Sequence, residues 1–96
     1  MIYRIYRVAI VPELRDDFET DFQGVAKEFM ADQPGLISVE IGKPTSQSPD
    51  EYLMISKWID LDAVKNFAGT KWQTQVIPDW MQKYTVNCWL HHFESF

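Results

Sequence analysis

The fold is decided by residues 52–69, which read YLMISKWIDLDAVKNFAG. The first part, 52–59, predicts a β-strand whose alternating side chains are apolar on both faces: Tyr52, Met54 and Trp58 on one, and Leu53, Ile55 and Ile59 on the other. A strand of this kind belongs in the middle of a sheet. Asp60 is a favoured N-cap for a short helix over 61–68, and Gly69 can end that helix because glycine readily adopts the left-handed conformation.

Before this stretch, the sequence predicts a strand, a helix and a second strand. Residues 2–11 are rich in Ile, Val and Tyr and stop at Pro12, which cannot donate to a sheet ladder. An amphipathic helix follows and ends at residues 33–35, with apolar side chains at three- and four-residue steps: Leu14, Phe18, Phe22, Val25, Phe29 and Met30. Residues 36–43 alternate as in a half-buried edge strand, with Ile37, Val39 and Ile41 on one side and Ser38 and Glu40 on the other.

After it, a second helical piece over 70–76 and one last strand are predicted. Pro78 follows the helical piece, and the continuation through Trp80, Met81 and Tyr84 is either a helical turn or a loop. The last strand covers 86–94, with Cys88, Leu90 and His92 facing one way and Trp89 and Phe93 the other. Residues 43–50 form a polar loop with two prolines that joins the second and third strands as a hairpin.

The order of these elements is typical of an α+β ferredoxin-like βαββαβ split fold. We expect one domain over residues 1–96, with a four-stranded antiparallel sheet, the first and third strands in its centre and both helices on one face. The other face would leave a broad apolar surface in water. A homodimer that pairs two sheets face to face would cover it, whereas a monomer would require a more polar face than the pattern indicates.

The composition limits the classes of function. A formal net charge of −5 and a pI near 4.8 argue against a nucleic-acid-binding surface, which concentrates Lys and Arg on one face. Cys88 is the single cysteine, so no disulfide forms within the chain and a reducing compartment is expected. No secretory signal pattern or transmembrane-length apolar run is found. We therefore expect a cytoplasmic protein with neither nucleic acid nor membrane as a partner.

Several chemical motifs are absent from the sequence: a glycine-rich phosphate loop, Cys or His pairs at zinc spacing, and a nucleophile elbow. His91 and His92 are consecutive in a strand, so they point to opposite faces and cannot chelate one metal together. No metal site is expected. The acidic residues of the first helix are interpreted as solvent-facing groups that confer solubility: Asp16, Asp17, Glu19 and Asp21.

Three segments carry a resemblance to a known family. Residues 58–72 (WIDLDAVKNFAGTKW), 76–78 (VIP) and 91–94 (HHFE) resemble the antibiotic biosynthesis monooxygenase family of dimeric α/β-barrel proteins. The resemblance implies a ferredoxin-like protomer paired through its sheet, with an apolar pocket for a small apolar or aromatic ligand. It also implies oxygen chemistry on aromatic or quinol-like substrates without flavin or metal, so no cofactor is expected. Related members degrade haem, and many have no known activity.

The resemblance supplies two catalytic candidates and one departure. Trp58 matches the family's strand tryptophan, and His92 matches a histidine that this branch tends to keep in its last strand. Trp58 could stack on a flat substrate and donate its indole N–H, or it could serve only as core packing. His92 could accept a proton from a phenol or quinol, or it could be a core or interface histidine. Members with assigned chemistry often carry His nine residues after the tryptophan, where this chain has Phe67.

Further residues are expected at the substrate. Arg4 and Tyr6 share a face of the first strand and could orient an anionic substrate or stabilise an oxyanion. The alternative, which we favour at this point, is that they form ion pairs across the dimer with Glu40 or Glu94. The remaining substrate-binding candidates lie on the second helix or in the segment after it, around the mouth of the expected pocket, and Trp72 is the best lid candidate among them: Asn66, Phe67, Trp72, Trp80 and Tyr84.

Three functions are compatible with these features. The first is a cofactor-independent monooxygenase that acts on a small aromatic such as a hydroquinone or anthrone. The second is a dimeric ligand-binding or stress-responsive module without turnover, which Phe67 in place of a histidine favours. The third is haem binding or degradation, for which His92 is the only candidate axial ligand in the pocket.

Overall fold

The computed structural model describes residues 1–29 and 33–96 and has the expected βαββαβ order. The strands and helices are β1 (Ile2–Ile10), α1 (Arg15–Phe29), β2 (Leu36–Gly42), β3 (Glu51–Trp58), α2 (Leu61–Ala68) and β4 (Thr85–Glu94). The sheet is antiparallel with the order β2-β3-β1-β4, so β1 and β3 are central as predicted. Met30, which the sequence pattern adds to the apolar stripe of the first helix, lies outside the described residues.

Strand register fixes which side chains face the helices. On β1 these are the even-numbered residues, and Arg4 pairs with Ser56 of β3 and His92 of β4. Val8 pairs with Tyr52 and Cys88, and all three are buried. The predicted faces of β3 and β4 are therefore confirmed, because alternation along a paired strand leaves no freedom once one face is buried.

β2 departs from the predicted alternation at its start. The register of β2 against β3 shifts between Leu36 and Ser38, so Leu36 rather than Ile37 pairs with Trp58 and packs on the helix side. Ile37 is the extra residue of this irregularity and is 48% exposed. The expectation that Ile37 shares a face with Val39 was wrong, because the irregularity inserts one residue and breaks the period of two.

The predicted caps of α2 are confirmed. Asp60 accepts a hydrogen bond from the Ala63 backbone N–H at 2.9 Å, and Gly69 ends the helix with a φ of 79°. Gly35, before β2, also has a positive φ of 83°. A Cβ atom at Gly35 would lie 2.5 Å from the Cβ of Ala63, so the chain passes α2 at the closest approach that backbone geometry allows.

The predicted helical piece over 70–76 is wrong. A short 3-10 turn, Gly69–Lys71, directly follows α2, and another 3-10 turn covers Asp79–Met81 after the predicted helical piece. Residues 73–79 are exposed, so this segment has no buried apolar stripe that could hold a helix against the sheet. It crosses the helix side of the sheet as irregular chain and ends where Tyr84 enters the core.

The core between sheet and helices consists of two clusters. The larger one, here called the packed end, has eight buried members: Val8, Ile10, Phe18, Phe22, Tyr52, Met81, Tyr84 and Cys88. Its two tyrosine hydroxyls donate to carboxylates of α1, Tyr52 to Glu19 at 2.6 Å and Tyr84 to Asp21 at 2.7 Å. Two of the four acidic residues interpreted as solvent-facing groups therefore act as acceptors that satisfy buried tyrosines. The second cluster contains Ile2, Trp58, Ala63 and Val64.

The sheet face away from the helices, here called the open face, carries the odd-numbered side chains of β1 and their neighbours on β3 and β4. Its apolar members include Tyr3, Ile5, Leu53, Ile55, Trp89 and Phe93, of which Phe93 is 54% exposed. Arg7 and Lys57 add positive charge to it.

None of the helices in the described part of the chain has the length and apolar character needed to cross a membrane.

Candidate active site

A pocket of about 190 Å³ lies between the sheet and the helices, in the gap that separates the two core clusters. The chain opens this gap because β1 and β3 place Arg4, Tyr6, Met54 and Ser56 there instead of uniformly bulky apolar residues. The other lining residues come from α1, α2 and the segment after α2: Phe22, Val25, Phe29, Phe67, Val76, Pro78, Trp80 and Met81. The pocket is thus apolar, with one cation and two hydroxyls.

Arg4 is the charged group of this pocket. Its Nη1 donates to the Trp72 carbonyl oxygen at 3.0 Å and to His92 Nε2 at 2.8 Å, and its guanidinium carbon lies 6.0 Å from the Phe67 ring centroid. Burial lowers the pKa of Arg4, and within residues 1–29 and 33–96 no carboxylate forms a salt bridge with it. An arginine stays charged at neutral pH. The cation is therefore held entirely by neutral groups.

His92 lies beside Arg4 on the helix side of β4, together with Cys88 and Leu90, with which it was predicted to share a face. Burial lowers the pKa of His92, and the nearby Arg4 and His91 lower it further. Because the guanidinium can only donate, Nε2 accepts and the ring proton sits on Nδ1. The Trp72 ring packs edge-on against the imidazole at 4.9 Å between centroids. His92 is therefore a neutral base whose lone pair is engaged by Arg4.

Tyr6 holds the segment after α2 at a second point. Its hydroxyl donates to the Val76 carbonyl oxygen at 3.3 Å, while Arg4 binds the Trp72 carbonyl oxygen four residues earlier. Burial, and after it the neighbouring Cys88 thiol, raises the pKa of Tyr6, so the phenol stays protonated and can act as a donor. Two side chains of β1 thus tie the irregular segment over the pocket.

The structure separates Arg4 and Tyr6 from Glu40, one of the two partners named for the interface alternative. Both side chains project to the helix side and line the pocket, whereas Glu40 pairs opposite Ile55 with its side chain on the open face. A dimer formed through the open face could not bring Arg4 and Glu40 together. Glu94, the other named partner, pairs opposite Ile2 on the helix side, so an ion pair with it stays a prediction. The first alternative, an environment where Arg4 could meet an anion, is compatible with the geometry.

The other predicted site residues are distributed unevenly. Phe67 and Trp80 line the pocket. Trp72 and His92 are not among its lining residues, and both contact Arg4, which does line it. Three candidates lie elsewhere: Trp58 is fully buried and donates its indole N–H to Ser56 Oγ at 3.0 Å, Tyr84 belongs to the packed end, and Asn66 is exposed on α2.

Trp58 nevertheless supports the pocket wall from behind. Its ring lies 5.1 Å from that of Phe67 and 6.3 Å from that of Phe29, and both of these line the pocket. Ser56, which accepts the indole N–H, also lines the pocket. A polar residue at a helix-facing position of a central strand was a readable signal for Ser56 in the sequence. Met54, Val25 and Val76 gave no comparable signal, because core and pocket linings use the same residue types.

A wider groove of about 550 Å³ lies between α1 and the edge strand β2, with Phe22, Val39 and Tyr52 among its lining residues. None of the predicted site residues lines it, and its lysines, Lys27 and Lys43, sit on exposed positions. The smaller pocket has a partly buried cation and aromatic walls, and a neutral imidazole contacts that cation from outside the lining, a combination expected of a reactive or ligand-selective site. We therefore take the smaller pocket as the candidate site.

The arrangement is compatible with an aromatic ligand and a proton transfer. Aromatic side chains of the lining can pack on a planar ligand, Arg4 can stabilise negative charge on a ligand oxygen, and His92 can accept a proton if Arg4 moves to that oxygen. Within the described ranges, no group of three or more His, Cys, Asp or Glu side chains is placed to hold a metal ion.

Comparison with known sequences points to one family. The profile of the family described as "Antibiotic biosynthesis monooxygenase" matches residues 1–78, which include β1 to α2 and most of the pocket. No curated protein matches the sequence significantly.

Comparison with solved structures gives the same fold. A structure described as an antibiotic biosynthesis monooxygenase has a TM-score of 0.75 at 16% identity and covers 100% of this chain and 99% of its own. One from Deinococcus radiodurans with the same family description has a TM-score of 0.77 at 13% identity, covering 100% and 93%. The heme-degrader MhuD from Mycobacterium tuberculosis, with two hemes bound in its active site, has a TM-score of 0.73 at 15% identity, covering 99% and 95%. At these identities the likeness establishes the fold.

Proposed function

Because the chain belongs to the antibiotic biosynthesis monooxygenase family, we propose that it is a cofactor-independent monooxygenase that oxidises a single-ring quinol in the pocket around Arg4. The observation that carries this proposal is the Arg4 cation, which faces an apolar pocket without a carboxylate partner among the described residues. A quinol that loses a proton supplies the missing negative charge. The family resemblance supplies the expectation of oxygen chemistry without flavin or metal.

The size of the pocket supports a one-ring substrate. An apolar cavity of roughly 150 Å³ is known to hold one benzene molecule. The pocket here, at about 190 Å³, has room for a ring with small substituents, whereas a three-ring anthrone would extend beyond it. Of the two substrate types compatible with the sequence, the hydroquinone is therefore the better fit.

Arg4 and His92 divide the first step between them. The substrate hydroxyl takes the place of His92 at the Arg4 guanidinium, which frees the lone pair of His92 Nε2. His92 then accepts the hydroxyl proton, and its lowered pKa keeps it neutral and ready for this at cellular pH. The resulting phenolate is stabilised by Arg4 in an environment of low polarity, where such an interaction is stronger than in water.

The phenolate then reduces O₂, and the substrate is the only reductant needed. One oxygen atom of O₂ enters the ring as a hydroxyl group, and the other leaves as water with the two hydrogens of the quinol hydroxyls. The ring gives up four electrons, two in becoming a quinone and two at the hydroxylated carbon, and O₂ takes up four. The protein's contribution is confinement by Phe67 and Trp80 and orientation by Arg4.

Oxygen uptake on a panel of single-ring quinols tests this proposal. We expect uptake that a metal chelator leaves unchanged and that His92→Gln lowers by about a hundredfold, the usual contribution of a general base. His91→Gln is the matched control, because His91 is the neighbouring histidine on the opposite face and is exposed. If no quinol consumes oxygen, or if both variants behave alike, the proposed reaction is excluded.

A binding module without turnover is the second candidate. Phe67 occupies the position where members with assigned chemistry often carry histidine, and its ring packs at 4.9 Å on Phe29 and 5.1 Å on Trp58. This arrangement gives a hydrophobic wall in place of a base. A ligand that raises the melting temperature and is recovered unchanged after prolonged aerobic incubation would favour this candidate.

Haem binding has less support from the pocket. The solved structure of a heme-degrader shares the fold, but in this chain His92 Nε2 is engaged by Arg4 and the pocket volume is about 190 Å³. A haem titration in which His92→Gln abolishes the Soret shift would restore this alternative.

We further propose that the protein forms a homodimer through the open face, in line with the family resemblance. Exposed aromatic side chains such as Phe93, together with Ile5 and Ile55, give that face an apolar centre that a second copy would cover. Light scattering at micromolar concentration is expected to give about twice the 11.3 kDa of one chain. A mass equal to one chain contradicts the dimer.

A further inference from the structure

The free edge of the Arg4 guanidinium has a specific shape. Nη1 is occupied by the Trp72 carbonyl oxygen and by His92, and among residues 1–29 and 33–96 neither Nε nor Nη2 has a hydrogen-bond partner. Neither of these two nitrogens is a fully buried, unsatisfied atom, so both retain some solvent-accessible surface. Nε–H and Nη2–H point in parallel and match the two oxygens of one carboxylate.

The other two arginines of the chain form salt bridges with carboxylates, unlike Arg4. Arg7 forms a salt bridge to Glu51 at 3.4 Å, and Arg15 forms one to Asp50. The chain has three arginines, and in the described ranges only Arg4 has no carboxylate within salt-bridge distance. Its Nη1 contacts fix the guanidinium plane from one side, so the free edge is pre-oriented before a ligand arrives.

We infer that the pocket selects a single-ring aromatic carboxylate, whose carboxylate binds the Nε and Nη2 edge of Arg4 while its ring packs between Phe67 and Trp80. The inference deepens the proposed function and rests on the same pocket. It names the substrate class as a quinol that carries a carboxylate. A phenolate that replaces His92 at Nη1 leaves the Nε and Nη2 edge unused, whereas a carboxylate on the same ring uses both donors of that edge.

The ligand would also be coupled to the segment after α2. Arg4 donates through Nη1 to the Trp72 carbonyl oxygen and would donate through its other edge to the ligand, so one side chain connects both. Anion binding that fixes Arg4 should also fix residues 72–76, which are otherwise tied down by Arg4 and Tyr6. The backbone amide of Trp72 and its indole N–H are therefore suitable reporters of binding.

The test compares benzoate with benzamide, two ligands of nearly equal shape of which only the first is charged. Titrations followed by two-dimensional amide NMR need no turnover, because neither compound is a quinol. We expect benzoate to bind the wild-type protein at least about tenfold more tightly than benzamide, the factor that one charge-assisted hydrogen bond contributes. Benzoate should shift the Trp72 signals, and acetate, which lacks the ring, should bind at least about tenfold more weakly than benzoate.

Two variants locate the effect. Arg4→Gln should bring the benzoate to benzamide ratio to about one, and Arg4→Lys should keep a reduced preference because it retains the charge without the paired donors. Arg7→Gln is the matched control, since Arg7 is on the same strand but on the open face, and it should keep the wild-type ratio. Arg4→Lys keeps the test informative if Arg4→Gln folds poorly.

The contrary outcomes are equally specific. Equal binding of the two ligands, no binding of either, equal binding of acetate and benzoate, or a preference that survives Arg4→Gln would each overturn the inference. Failure of this inference is separable from failure of the proposed function. Benzoate selectivity without oxygen uptake by any quinol removes the oxygenase and leaves the carboxylate site, whereas uptake confined to uncharged quinols does the reverse.

Discussion

The packed end and the pocket lie on the same face of one sheet, but they treat polar groups in opposite ways. At the packed end, Tyr52 and Tyr84 place hydroxyls next to carboxylates of α1, and these hydrogen bonds are 2.6 and 2.7 Å long. In the pocket, the Arg4 cation meets only a carbonyl oxygen and a neutral imidazole. The packed end pairs its buried hydroxyls with carboxylates, whereas the pocket has no carboxylate that pairs with Arg4 among the described residues.

The difference lies along a single strand. Val8 and Ile10 of β1 are buried in the packed end, while Arg4 and Tyr6, a few residues earlier, line the pocket. A cation without a counter-ion is unfavourable when partly buried, and the proposed ligand would supply the negative charge that the fold does not. Each of the following measurements either breaks this contrast or sharpens it.

The largest effect is expected from Phe18→Ala at the packed end. Phe18 is fully buried, and its ring lies 4.8 Å from that of Tyr52 and 5.3 Å from that of Tyr84. Removing it leaves a cavity in the larger cluster, which should lower the free energy of unfolding by about 3–5 kcal/mol. Urea unfolding followed by circular dichroism measures the change.

The matched control is Phe67→Ala at the pocket. Phe67 is 37% exposed and already borders empty space, so the same substitution should cost about 1 kcal/mol or less. Equal losses in the two variants would show that the pocket wall is as much a part of the stabilising core as Phe18, and the contrast between the two regions would not hold.

An intermediate effect is expected from removing one matched hydroxyl. Tyr52→Phe deletes the donor to Glu19, and we expect a loss of about 1 kcal/mol, the ordinary net value of such a bond when its acceptor is partly exposed. Burial and the hydrogen bond to Glu19 raise the pKa of Tyr52. Tyrosine ionisation, followed by absorbance at alkaline pH, therefore gives a second measure of the hydrogen bond between Tyr52 and Glu19.

The corresponding change in the pocket is Arg4→Gln. Because Arg4 has no carboxylate partner in the described ranges, losing its charge should leave the free energy of unfolding within about 1 kcal/mol of wild type, while anion binding is lost. A loss larger than that of Tyr52→Phe would mean that Arg4 is chiefly a structural group.

The smallest effect is expected from pH. Since the pKa of His92 is lowered in the folded protein, the unfolded chain binds more protons near its ordinary pKa of about 6.5, and stability must rise with pH through that range. The free energy of unfolding should therefore decrease as pH falls below about 6.5, when a protonated His92 would face the Arg4 cation.

Urea unfolding between about pH 5 and pH 8 measures this slope. His92→Gln should flatten it, and His91→Gln should preserve most of it because His91 is exposed on the open face. A slope of the same size in His92→Gln would assign the pH dependence to other groups.

The sequence was sufficient for the strand order and for most of the side-chain alternation. Alternation in β1, β3 and β4 predicted which side chains share a face, but not which face the helices cover, and Asp60 and Gly69 predicted the ends of α2. These features depend on local patterns with periods of two or on single capping residues, so they can be read from one chain. Ile37 was assigned to the wrong face because the apolar residues Ile37, Val39 and Ile41 alternate regularly in the sequence, although the strand has an irregularity between Leu36 and Ser38.

The pocket was only partly predictable. Arg4, Phe67 and Trp80 were named, but so were Tyr84 and Asn66, which lie outside it. Tyr84 belongs to the segment after α2, which has no period along which a face could be assigned, and Asn66 is on the exposed side of α2. The pairing of Glu19 with Tyr52 was also invisible, because it joins residues 33 positions apart.

The contact between Gly35 and Ala63 has a consequence for how this architecture could vary. A Cβ at Gly35 would lie 2.5 Å from the Cβ of Ala63, so enlarging either residue requires the loop and α2 to move apart. Phe67 is on α2 and lines the pocket, so a displacement of α2 would change the volume of the pocket. A single methyl group at this contact could therefore alter the pocket without replacing any residue that lines it.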